Sequence, residues 1–153
     1  MTRVDDLAGL ETWAASLLAD IEPGARARLA RKVATDLRRS QQRRIAAQRN
    51  PDGSPYVPRK REPLRGKSGR IKRGIMFKRL RGGGYLRTRS DASQVSVEFT
   101  GRTARIARVH QFGQVDKVRP NGPRTAYARR ELLGFTKADI DTIRAALIAH
   151  LRG

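Results

Sequence analysis

The chain has 153 residues, no cysteine, two histidines and eight aromatic residues, and its 34 basic against 14 acidic side chains leave a net charge of +20. That length suits one domain, 1–153, able to bury roughly 70% of its unfolded surface. The composition excludes disulfides and thiolate metal sites. With no run near ~18 apolar residues and no signal-peptide pattern, it predicts a soluble, non-exported protein.

The charge is uneven: residues 1–21 carry a net −3, residues 22–90 a net +18 and residues 91–153 a net +5. Such a field attracts polyanions and repels copies of itself. Nucleic acid, an acidic protein surface and an anionic membrane all satisfy it, so charge alone names no partner.

In chain order, Leu7, Leu10, Ala14, Leu17, Leu18 and Ile21 recur at helical spacing, and Asp5 and Asp6 suit a positive helix N-terminus. A helix over 1–22 is expected, stopped by Pro23-Gly24, with Trp13 as a core or subunit-contact anchor. A second helix should run from about Ala25 to Gln48. Its apolar stripe of Leu29, Val33 and Leu37 is narrow, and arginines, among them Arg38, Arg39, Arg43 and Arg44, cover much of the remaining circumference. Residues 50–74, rich in Pro, Gly and basic residues, predict a long basic loop or arm, extended and mobile. Gly82-Gly83-Gly84 suits a turn. Tyr85–Thr88 and Gln94–Phe99 read as a hairpin, with Val95, Val97 and Phe99 on one face. A short helix is expected over Ala104–Phe112, then a loop over 113–124, and Ala126–Leu133 fits strand or helix. Thr136-Lys-Ala-Asp139 resembles a capping box opening a last helix with the stripe Ile140, Ile143, Leu147, Ile148 and Leu151. The expected fold is α+β: a small antiparallel sheet packed with N-terminal and C-terminal helices, with 75–153 as the α+β core.

No catalytic constellation is visible. His110 has no cysteine to activate, no serine in a nucleophile motif and no carboxylate at a telling spacing. His150 and scattered carboxylates form no metal set, so neither metal nor cofactor is expected. Gly66-Lys67-Ser68 lacks the earlier glycine of a phosphate-binding loop. His110 therefore reads as a packed residue shaping the turn at Gln111-Phe112-Gly113, with Phe112 packing and Gly113 reversing the chain. Arg38, Arg39, Arg43, Arg44, Arg59, Lys60, Arg61, Arg70, Lys72 and Arg73 form a candidate polyanion or partner surface. Only Tyr56, Phe77 and Tyr85 lie in the basic middle, so direct base reading is not expected.

The stretches "NPDGSPYVPRK" (50–60), "MFKRL" (76–80), "VSVEFTGRTARIARVHQFG" (95–113) and "YARRELLGFTKADIDTIRAALIAHL" (127–151) resemble the phage virion morphogenesis family. The resemblance runs from about residue 29 to 151 and leaves the acidic N-terminal helix outside. Its most specific pieces are Ile106, Ala107, Arg108, Val109, His110, Gln111, Phe112 and Gly113, and Arg130, Glu131, Leu132, Leu133, Gly134 and Phe135. It implies a non-enzymatic structural protein for tail completion and head–tail joining, a ring subunit, often one of six, at the head-proximal end of the tail. It also implies the tail tube or terminator and head-completion proteins as partners, no membrane, and a place in the virion after assembly in the host cytoplasm. The rival reading is a non-specific basic DNA-binding protein. The −3 helix of one subunit would meet the +18 middle of the next.

Overall fold

A computed structural model describes residues 2–59 and 75–152, with side chains from residue 7 onward. The expected roles of Asp5, Asp6, Lys60, Arg61, Arg70, Lys72 and Arg73 lie outside the described side chains. Among the described residues, four helices and two hairpins follow one another: α1 (Thr2–Leu18), α2 (Pro23–Ala46), β1 (Leu86–Ser90), β2 (Val95–Phe99), α3 (Arg102–Phe112), β3 (Val115–Lys117), β4 (Arg124–Ala126) and α4 (Lys137–Arg152). The class is α+β.

Pro23 does not stop α1; it opens α2. Its fixed φ and missing N–H suit the first helical position, where that N–H would have no partner. From there α2 buries Leu29, Val33, Ala34, Leu37, Gln41, Arg44 and Ile45, one continuous face over the helix's length. The chain leaves α2 through Gln48 at φ 58, a left-handed position usually given to glycine. Gln48 is held there because its side chain clamps Met76, donating from Nε2 to the Met76 carbonyl (3.0 Å) and accepting the Met76 N–H at Oε1 (2.9 Å).

The first hairpin pairs Leu86 with Phe99 through Ser90 with Val95, in antiparallel register, and both strands lie across α2. Its turn, 91–94, is tied by the Asp91 carboxylate to the N–H groups of Ser93 and Gln94. A second hairpin, β3 with β4, occupies the stretch expected to be loop. Its strands have three residues each, mostly charged or exposed, too short for alternation to register. Of Ala126–Leu133 only Ala126 belongs to a strand, and none of it is helical.

Two apolar clusters share α2 and β2. Near the start of α2, Leu29, Val33 and Leu37 pack with Leu147 of α4, flanked by Trp13, Leu18, Val95, Val97 and Ile143. Toward its end, Ile45, Tyr56, Met76, Leu80, Ala107 and Leu132 form the second, with Phe77 and Phe99 against it. The α4 stripe is shorter than expected: Ile140 and Leu147 are buried, but Ile148 and Leu151 are exposed. The capping box is present, with the Asp139 carboxylate accepting the Thr136 N–H (2.9 Å) and the Thr136 hydroxyl accepting the Asp139 N–H (3.0 Å). No described helix is long and apolar enough to cross a membrane.

Candidate interaction site and its internal brace

Among the described residues, no strand pairs with 131–134, yet they run through the interior, where unpaired backbone groups are costly. Side chains from three other parts of the chain stand in for the missing neighbour. Gln111 of α3 accepts the N–H groups of Leu132 (2.8 Å) and Leu133 (2.9 Å) at Oε1 and donates from Nε2 to the Leu133 carbonyl (2.8 Å). Gln41 of α2 does the same for Gly134, donating to its carbonyl (2.9 Å) and accepting its N–H (3.1 Å). Asn50 Oδ1 accepts the Glu131 N–H (2.9 Å), and the Tyr56 hydroxyl donates to the Glu131 carbonyl (3.1 Å).

Arg44 closes the arrangement. Its Nη1 donates to the carbonyls of Arg49 (3.0 Å) and Glu131 (2.8 Å), and its Nη2 to the Leu132 carbonyl (2.8 Å) and Gln41 Oε1 (2.5 Å). Burial pushes the Arg44 guanidinium below its ordinary pKa and the Tyr56 phenol above its own. The expectation that Arg44 belongs to an outward polyanion surface is therefore corrected. Counted along the helix, Arg44 falls on the same side as Leu37 and Gln41, and its charge satisfies carbonyls inside the fold.

The same wiring binds the base of the expected arm. Arg130, itself buried, donates from Nε to the Val57 carbonyl (2.6 Å) and from Nη2 to the Pro58 carbonyl (3.0 Å). The Tyr56 N–H donates to the Gln48 carbonyl (2.7 Å), and Tyr56 is in the core. The stretch is thus tied to the core at Asn50, Tyr56, Val57 and Pro58, and residues 60–74 lie outside the described residues. Gly134 passes so close to Pro51 that a Cβ there would sit 2.4 Å from the proline Cγ, so only glycine fits.

His110 is the third ring in an edge-to-face chain. Tyr56 meets Phe77 at 5.9 Å, Phe77 meets His110 at 4.7 Å, and His110 meets Tyr127 at 5.1 Å. Arg130 Nη1 lies 3.3 Å from His110 Nδ1. A guanidinium can only donate, so Nδ1 accepts and the imidazole is neutral. Burial first, then the Arg130 and Arg59 charges, push the His110 pKa down to about 4. No carboxylate or nucleophile shares a hydrogen bond with the ring among the described residues, and no three potential metal ligands converge there. The site binds chain to chain.

The remaining expected residues divide cleanly. Val109 and Leu132 are buried, Leu133 and Glu131 are half-buried, and Gly113 ends α3 at φ 61, as a left-handed cap requires. Phe112 does not pack: it is 62% exposed, and Ile106 is 49% exposed. Val115 and Val118 follow on the next hairpin, also exposed. Arg38 is half-buried against Gly83, whereas Arg39, Arg43 and Arg59 face solvent. Sequence reading missed Gln41, Gln48, Asn50, Tyr56 and Phe77 as members of the brace. The turn signal at Asn50-Pro51 was the one visible hint.

Residues 5–152 match the profile of the phage virion morphogenesis family. The tail completion protein S of Escherichia phage P2 is 43% identical over 136 residues, 88% of this chain and 90% of that protein. The match takes in the acidic N-terminal helix, which the motif resemblance left out. No solved structure matches the chain.

Proposed function

The chain belongs to the phage virion morphogenesis family, and from that membership we propose that it completes the phage tail, as a non-enzymatic subunit of a ring at the tail's head-proximal end that joins tail to head. The observation that carries the reading is the 43% identity over nearly the whole of both chains to a protein named for tail completion. The brace supports it. A joining protein works by presenting fixed surfaces, and here the family motif is spent on locking 130–134 against α2, α3 and residues 49–58. Exposed Phe112, Ile106 and Val115 lie on or beside that locked frame and offer apolar anchors for a neighbouring subunit, the tail tube or terminator, or a head-completion protein. Self-association must also offset the repulsion between copies of charge +20. The net −3 of residues 1–21 against the positive remainder of a neighbour supplies one opposite-sign contact.

The test is complementation. A phage whose own tail completion gene is disabled, grown in cells making this chain, should yield joined particles under the electron microscope. Heads and tails that stay apart, with the protein folded and abundant, would refute the role. Light scattering of the nuclease-treated protein, alone and with purified tails, reads the ring: a discrete closed oligomer is expected on the tail. A monomer in both conditions would remove the ring from the proposal.

A further inference from the structure

We propose that the outward face of α2 is a contact surface for the phosphate backbone of duplex DNA. Six residues of this helix, Arg28, Arg31, Lys32, Thr35, Arg39 and Arg43, are all exposed. At 3.6 residues per turn they fall within an arc of about 120°, opposite the buried face of Leu29, Val33, Leu37 and Arg44, and they span about 22 Å of helix. Five of the six are cations. Lys32 is paired with Asp36 at 2.8 Å, whereas Arg28, Arg31, Arg39 and Arg43 have no ion pair among the described residues.

The acidic groups nearby do not cancel the array. Asp36 is taken by Lys32, and the buried Asp139 carboxylate caps Thr136 and accepts a short hydrogen bond from Ser40. What remains is a row of free guanidinium groups on a rigid rod. Two kinds of polyanion could face it, and the absence of apolar anchors decides between them. A protein interface needs large apolar or aromatic residues at its centre. Among the described residues the exposed large hydrophobics all lie elsewhere, on 57, 75, 85, 106, 112, 115, 118, 135, 148 and 151, and none is on α2. A phosphate lattice needs only clustered cations. With no aromatic on the face, contact is to the backbone and independent of sequence.

The inference stands on the α2 surface alone. A chain that completes tails without touching DNA would fail the following test and still pass complementation. Binding of the full chain to a labelled duplex of about 20 base pairs, roughly two turns, is measured by fluorescence anisotropy across salt. Two variants are compared, each lowering the net charge by four. One carries Arg28→Gln, Arg31→Gln, Arg39→Gln and Arg43→Gln. The other carries Arg87→Gln, Lys117→Gln, Arg119→Gln and Arg124→Gln, all exposed positions elsewhere. The first should flatten the log–log salt dependence by about 3.6 and weaken binding at 50 mM salt by at least about 100-fold. The second should change affinity less than about threefold, and lysine at the four α2 positions should restore the slope. Unchanged circular dichroism melting of both variants secures the fold. Equal losses in the two variants would overturn the proposal by making binding a matter of net charge. So would a native chain that binds polyglutamate but not duplex DNA.

Discussion

The two halves of α2 are held by different physics. Its first half is an ordinary helical stripe: Leu29, Val33 and Leu37 meet Leu147 and the hairpin valines, and the contact is apolar throughout. Its second half, with Gln48 just past its end, holds extended chain by polar side chains, Gln41, Arg44 and Gln48 being hydrogen-bonded to backbone from 49, 76, 131, 132 and 134. The first kind of packing is graded, because each methylene removed costs its share of burial and cavity. The second is closer to all-or-none, because removing one side chain takes hydrogen bonds from several backbone groups at once.

Arg44→Met separates the two most sharply. It keeps the stem and takes a donor from three backbone carbonyls, of which only that of Glu131 keeps the Tyr56 hydroxyl, and a loss of about 3–5 kcal/mol is expected in urea unfolding. Leu147→Ala tests the apolar half and should cost about 2–4 kcal/mol. If Leu147→Ala proved the costlier of the two, the claim that the brace is the more brittle half would fall. Gln111→Leu, similar in size, should cost about 2–3 kcal/mol through the unpaired N–H groups of Leu132 and Leu133. A near-neutral result would mean that water reaches that stretch.

The smaller effect concerns pH. His110 titrates near 4 in the folded protein and near 6.5 when unfolded, so between those values the unfolded chain binds the extra proton. Its contribution is fully present above about pH 6.5 and is lost as pH falls toward 4. The half-open setting of the ring limits it to about 1–2 kcal/mol. His110→Gln should flatten the stability curve in that window while leaving lower pH, where Asp91 and Asp116 titrate, unchanged. Retention of the full slope in the variant would assign it to other groups.

What was legible in the sequence follows the same division. The terminal helices, the first hairpin and the Thr136–Asp139 cap are local patterns of period and spacing and are present within a few residues, although Ile148 and Leu151 of the α4 stripe face solvent. The brace is not legible in the sequence because its hydrogen bonds are polar and most join residues 21 to 93 positions apart. Gln41 and Gln111 look like surface glutamines until Gly134 and Leu132 are beside them. Arg44 looked like one more arginine on a basic helix. Phe112 erred the other way: it was expected to pack, and the turn at Gly113 leaves it in solvent.

The sequence by itself determined the charge, the lack of thiol chemistry, the helical termini and, through its motifs, the family. Those depend on composition or on neighbours within a few residues. Only the tertiary structure decided which arginines of α2 face inward and which outward, and that His110 is a neutral ring wedged between Phe77, Tyr127 and Arg130. A side chain's role there depends on the backbone groups that distant segments bring to it, and burial turns an unpaired carbonyl from a harmless surface group into one that must be met.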